Sequence, residues 1–229
     1  QIITLAKHQN IEVVFQDEFT VINQASSAAD FAPKGQQPLE RWAFSEKSIR
    51  IAGGMNALTG QTTIFQCPKM TIDYFVQFLQ TLVQDYPKAQ TIYLPVDGWP
   101  IHFHPSVQAA LVPQEQPFEP NLPPSWANVK PKAKYQKMNL PIQMVSLPTY
   151  ASWLNPIEKL WKLLKKEVLH LFPNPNDFKE LQQRINFFFH EFEDPSERLL
   201  QFCGLLKEDG CFADSLRKAN APFLKPHII

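Results

Sequence analysis

The sequence predicts a mixed α/β domain on three observations: β-rich runs near its start, a helical stretch leading directly into an apolar strand, and two helical stretches near its end. Residues 11–16 (IEVVFQ) and 19–23 (FTVIN) are short β-rich runs flanking Asp17 and Glu18, and 49–56 with 62–66 form a further pair joined through Leu58, Thr59 and Gly60. An antiparallel start follows. Residues 71–85 place Ile72, Phe75, Phe78, Leu79 and Leu82 at helical spacing, and 91–96 (TIYLPV) then form a strand ending at Asp97, which makes a β-α-β crossover. A short strand at 142–146 and helices over about 156–171 and 176–192 complete the set.

Composition sets the class. With 229 residues and 44% hydrophobic side chains the chain can bury a full core as one or two domains, which excludes a disordered chain or a coiled coil. No apolar run reaches the roughly 18 residues of a membrane span, and the opening QIITLAK lacks the layout of a signal peptide, so the expectation is a soluble, cytoplasmic protein with no membrane partner. Three cysteines at 67, 203 and 211 suit packing in a reducing compartment. The 22 basic and 22 acidic side chains cancel, but residues 129–170 carry 8 basic and 2 acidic groups, all the basic ones lysine. That strip is a candidate polyanion-facing surface, with a merely solvated surface as the alternative. Of 21 prolines, 11 lie between Pro95 and Pro148, so 113–141 reads as a long extended loop or flap within a Pro/Lys-rich insertion over about 105–141.

Three carboxylates occupy positions of interest. Asp17 continues the apolar face of Val13, Phe15, Phe19 and Val21 by period-2 alternation, so a charge stands where burial is expected and needs a partner. Asp97 follows a strand at its carboxyl end, where open α/β sheets gather their sites. In Asn155-Pro156-Ile157-Glu158, Asn155 suits an N-cap and Glu158 completes a capping box, a purely structural role. The same helix buries Ile157, Leu160, Trp161, Leu164 and Val168, which leaves Glu158, Lys162 and Lys165 on the neighbouring face, a place for a hard cation with phosphate nearby. Three carboxylates converging from separate elements suit a two-metal displacement at phosphorus.

Residues 147–161 (LPTYASWLNPIEKLW) resemble the third-acid motif of the DDE superfamily transposases, of the type shared by bacterial insertion sequences and mariner elements. VVFQDEF at 13–19 is similar to the first-acid strand of that family, VDGWPIH at 96–102 to the second, and FAPKGQQP at 31–38 with the GGMNALTG turn at 53–60 to its early hairpin region. The resemblance covers about residues 11–192. It implies a ribonuclease H-like fold with a mixed five-stranded sheet, and a single catalytic domain over 1–229 with a helical tail over 193–229. It further implies two Mg²⁺ ions, replaceable by Mn²⁺, held by Asp17, Asp97 and Glu158. In that family water cuts DNA at element ends and the freed 3′-hydroxyl attacks target DNA, so the implied activity is an endonuclease of transposition, DNA recombination and integration. Supporting positions are Glu18, His102, expected to orient phosphate or the second acid, and Asn155. Candidate DNA-binding residues are Lys130, Lys132, Lys134 and Lys137 in the loop, where Trp126 and Tyr135 add stacking surfaces, and Lys159, Lys162, Lys165 and Lys166 on the helix. Implied partners are double-stranded DNA, a second copy of the chain on that DNA, and a separate N-terminal recognition domain, because only 16 residues precede Asp17.

The chain departs from the family at three points. Gly98 stands where asparagine is usual, Pro95 sits in an inner strand and so predicts a short or locally open pairing, and Asp97 to Glu158 spans 61 positions, longer than usual. Two other functions fit the same residues: a catalytically silent transposase remnant serving as a DNA-binding or interaction module, and another nuclease on the same fold.

Overall fold

The computed structural model describes residues 10–22, 34, 47–113, 122–126, 128–148, 154–170 and 177–206. Five strands form one sheet: β1 (Ile11–Ile22), β2 (Ser48–Asn56), β3 (Thr62–Cys67), β4 (Thr91–Val96) and β5 (Ile142–Ser146), in the order β3-β2-β1-β4-β5. β1, β2 and β3 pair antiparallel, while β1 with β4 and β4 with β5 pair parallel. The helices are α1 (Ile72–Asp85), α2 (Pro105–Gln108), α3 (Ile157–Leu164), α4 (Phe178–His190) and α5 (Glu197–Cys203), and a π-helical turn over Lys165–Leu169 continues α3.

Period-2 alternation along β1 divides the core in two. Val13, Phe15 and Val21 pack with α3, α4 and α5, whereas Val14 packs with α1, β4 and β5. α1 starts where the Thr71 hydroxyl accepts from the Tyr74 amide, and it buries Phe75, Val76, Phe78, Leu79 and Leu82 against the second core. The expected crossover is present, with β4 ending at Val96 immediately before Asp97.

Four expectations need correction. The runs at 11–16 and 19–23 are one strand, because β2 pairs with β1 continuously from Val14 to Ile22, so Asp17 lies within a strand rather than at its end. Gly53 and Gly54 belong to β2, and only 57–59 turn towards β3. Asn155 does not cap α3: the helix starts after Pro156 with no side-chain cap, and Asn155 Nδ2 instead donates to the Gln16 carbonyl at 2.9 Å, tying the helix start to β1. The start of the Pro/Lys-rich insertion is packed, and the predicted flap, exposed over most of its described residues, is anchored in the core at Tyr135. Val107, Ala110, Leu111 and Tyr135 are buried in the second core, and Leu111 bridges to Leu140. Residues 31–33, 35–38, 114–121, Tyr150 and Cys211 lie outside the described residues.

Pro95 is accommodated by a splay. Ile92 donates to the Pro141 carbonyl and Val96 accepts from the Leu147 amide, so even-numbered positions of β4 address β5 and Pro95 addresses β1. β1 pairs with β4 only from Ile11–Val13 to Thr91–Tyr93, so the missing N–H falls where the two strands have already parted.

Candidate active site

The parted ends of β1 and β4 carry Asp17, Glu18 and Asp97. Neighbouring positions on a strand face opposite ways, so β1 sends its two acids to different partners. Glu18 faces His102, whose Nε2 lies 3.0 Å from Glu18 Oε1 and whose Nδ1 lies 3.2 Å from Asp97 Oδ1. His102 is fully buried, held between Phe75 at 4.9 Å and the edge of Trp99 at 5.6 Å. Burial opposes charge on the ring, but the Glu18 and Asp97 carboxylates outweigh it and push His102 up to about 10. The histidine therefore joins the parted strands as a cation between two anions. It contacts Asp97 directly and has no surface of its own in solvent.

Asp97 is half exposed, and its Oδ1 also accepts from the Trp99 amide at 2.9 Å. Burial works to raise its pKa, but the hydrogen bond and charge of His102 win and hold the carboxyl below the usual range. Gly98 has open space around it, with no atom within 4 Å of where a Cβ would stand.

Asp17 turns to the other core. Its Oδ2 accepts from Trp161 Nε1 at 2.8 Å and its Oδ1 from the Glu18 amide at 2.9 Å. Burial pushes this carboxyl up to about 7; the Glu18 and Asp97 charges add to the rise, and the two hydrogen bonds oppose it. Glu158 is half-buried in the first turn of α3, three positions before Trp161. Among the described residues, the histidine, cysteine and acidic groups whose ligand atoms converge within 4.8 Å are Glu18, Asp97 and His102. Of the predicted triad, Asp97 is thus in the tightest cluster. Asp17 approaches from the opposite face of β1, close enough to sense the Asp97 charge, and Glu158 sits at the near end of α3.

The lysines divide. Lys132 and Lys134 reach Asp73 at 2.9 and 3.0 Å, and Tyr135 donates its hydroxyl to the same carboxylate. Tyr135 is 3% exposed, so it is a buried anchor of the loop and not a stacking surface. Trp126 packs edge-on against His104 at 4.6 Å. Lys159 caps the end of α5 through the Cys203 carbonyl at 3.0 Å. Lys130, Lys137, Lys162, Lys165 and Lys166 are exposed, with Lys165 over the Phe19 ring at 5.1 Å. Cys67 and Cys203 are buried, as their packing role requires.

A match to the family described as DDE superfamily endonuclease spans residues 12–182, from β1 into α4. The chain belongs to the DDE superfamily endonucleases. This endonuclease domain is 24% identical over 152 residues to an uncharacterized 39 kDa protein of insertion element IS630 from Shigella sonnei, covering 66% of this chain and 37% of that protein. It therefore spans well under half of that relative's length. Its fold is similar to that of the Mos1 mariner paired end complex with Mn, at a TM-score of 0.55 and 10% identity over 89% of this chain and 55% of that one. The paired end complex with Mg gives a TM-score of 0.54 at 11% identity, over 85% and 52%. The sheet is thus the mixed, ribonuclease H-like sheet that the sequence predicts.

Two residues beside Asp17, Trp161 and Gly53, are not singled out as site residues by the sequence. Trp161 was assigned to the apolar face of its helix, and periodicity says nothing about where an indole N–H points. Gly53 falls within the strand predicted over 49–56 as well as in the GGMNALTG motif, and its position opposite Asp17 is visible only in the strand register. The signal that could have pointed to them is the charge on the apolar face of β1, which called for a donor.

Proposed function

We propose that this endonuclease domain is the catalytic domain of a DNA transposase, cutting phosphodiester bonds at element ends and joining the freed ends to target DNA. Asp17, Asp97 and Glu158 are the proposed ligands of two Mg²⁺ ions, with Mn²⁺ as a substitute. The observation that carries this reading is Asp17. Its carboxyl is buried to the point of protonation near neutrality, beside a second, half-exposed carboxylate, and a divalent cation relieves that situation. The oxygen donors are hard, which suits these ions, and the Mos1 complexes named above are with Mn and Mg. When bound, the ions would activate the attacking oxygen and stabilise the leaving one.

The side chains supply positioning. His102 and Glu18 fix Asp97, Asn155 fixes the start of α3 to the residue before Asp17, and α3 then presents Glu158. Exposed Lys162, Lys165 and Lys166 extend from the same helix as phosphate contacts, and Lys130 and Lys137 are further candidates. Lys132, Lys134 and Lys159 have protein partners, so DNA contact by them requires exchange of those partners. A single catalytic domain with its core over about 11–192, a separate N-terminal recognition domain, a homodimer on double-stranded DNA, and action at the nucleoid in the cytoplasm complete the proposal.

The test is nicking of supercoiled plasmid with Mg²⁺ or Mn²⁺, together with Mn²⁺ calorimetry, on the wild type beside Asp17→Ala, Asp97→Ala and Glu158→Ala. Metal-dependent cutting lost in all three variants supports the reading. DNA binding without cutting or metal uptake would make the chain a silent binding module, and cutting indifferent to the three acids would place the site elsewhere.

A further inference from the structure

We propose that Trp161 is a positioning residue for Asp17 and that Gly53 exists to admit it. The proposal rests on the reading of Asp17 as a metal ligand. Trp161 is 4% exposed and its ring is held from several sides. Phe19 stacks on it at 5.5 Å with planes 12° apart, and Phe189 meets it edge-on at 6.3 Å. A Cβ on Gly53 would stand 2.4 Å from Cη2 and 2.9 Å from Cζ2 of the indole. The ring is rigid and packed by Phe19 and Phe189, so a Cβ there would force the indole to shift.

Gly53 is the β2 residue directly opposite Asp17 in the ladder. The absent side chain on one strand thus opens the space through which the indole reaches the carboxylate on the other. The N–H ends 2.8 Å from Asp17 Oδ2, and the Glu18 amide takes Oδ1. With one fixed donor on each oxygen, the carboxylate plane has a single orientation, and its remaining lone pairs are the ones left for a cation. A ligand held by a second layer of donors binds metal more tightly than one left to rotate. Trp161 also sits three positions after Glu158, one helical turn away, so one turn of α3 supplies both an acid and the donor that fixes another acid. An apolar ring of similar size would serve the core equally well; only the N–H serves Asp17.

The experiment separates those roles. Trp161 is replaced by benzothienylalanine, which keeps the bicyclic shape and lacks the N–H, and by Phe; Gly53→Ala and Asp17→Asn are made alongside. The readouts are Mn²⁺ affinity by calorimetry, the indole N–H resonances in ¹H–¹⁵N spectra, and the melting temperature. The expected result is that the benzothienyl protein melts like the wild type but binds Mn²⁺ about tenfold or more weakly. Gly53→Ala is expected to share that loss, and the Trp161 indole resonance, assigned by its absence in Trp161→Phe, is expected to move in Asp17→Asn. Wild-type Mn²⁺ affinity in the benzothienyl protein, with affinity lost in Asp17→Asn, would overturn the positioning role and leave the site standing. Wild-type affinity in Asp17→Asn would remove Asp17 as a ligand and the proposal with it.

Discussion

With both ring nitrogens facing carboxylates and no surface in solvent, His102 is a buried cation whose removal leaves Glu18, itself 9% exposed, without its cationic partner and with the neutral Gln16 Nε2 donor at 2.7 Å. Breaking such a pair from one side leaves an uncompensated charge, which costs about 3 kcal/mol or more. His102→Ala is therefore expected to lower the urea midpoint strongly, and the double variant His102→Ala, Glu18→Gln to recover part of the loss; equal stabilities of the two would count against the ion pair. Gly98 is the opposite case. Nothing stands within 4 Å of a Cβ there, so Gly98→Asn should change stability by no more than about 0.5 kcal/mol. If the family's usual asparagine assists cutting, this variant will nick DNA faster than the wild type, and an unchanged rate would show that Asp97 needs no such neighbour.

At the scale of elements, the segment from Lys132 to Tyr135 is pinned to the first turn of α1 through Asp73. Tyr135, then Lys132 and Lys134, hold the Asp73 carboxyl well below its ordinary 3.8. A depressed carboxyl contributes stability that is present at higher pH and lost as pH falls below about 4, because the unfolded chain then takes up protons that the folded one refuses. Asp73→Asn is expected to cost about 1 kcal/mol at neutral pH, a figure kept small because Asp73 and both lysines are half exposed. The gap between variant and wild type should close as urea titrations are taken from pH 5 towards pH 3. A constant gap would mean that the anchor is the Tyr135 ring alone. This anchor was not legible in the sequence, where proline content and a lysine series suggested an exposed flap. α1 was legible almost to the residue, because Ile72, Phe75, Phe78, Leu79 and Leu82 repeat at one period; that Thr71 caps the helix came from the structure. The start of α3 misled for a chemical reason: Asn155 has the right side chain for a cap, but the Gln16 carbonyl offers it a buried partner that local sequence does not reveal.

Across the whole molecule, the two cores meet at β1, which carries Asp17 itself, while Asp97 follows the neighbouring β4 and Glu158 lies on α3, packed in the first core. Identity and order of the acids were readable from motif and strand position. Their surroundings were not, because these depend on the parting of β1 from β4 and on contacts such as Trp161 to Asp17 that are 144 positions apart. Ligand binding to the native state alone stabilises it by mass action, about 2.7 kcal/mol at a hundredfold excess over Kd. Mn²⁺ should accordingly raise the melting temperature of the wild type and leave that of Asp97→Ala unmoved. A rise of equal size in both would assign the cation to another place.

Because adjacent residues of β1 look to opposite sides of the sheet, the spelling of the site depends on counting. Delete one residue before Asp17, and the strand can still hydrogen-bond to β2, but Glu18 would stand opposite Gly53 beneath the indole, Phe19 would take the place opposite Ala52 that faces the histidine, and Asp17 would move back opposite Gly54. The place beneath the indole would hold an acid one methylene too long, and the place facing the histidine would hold a phenyl ring. Such a frame error in space could leave a folded protein that has lost its chemistry, which makes single-residue deletions in 11–16 a sharper probe of this domain than any substitution there.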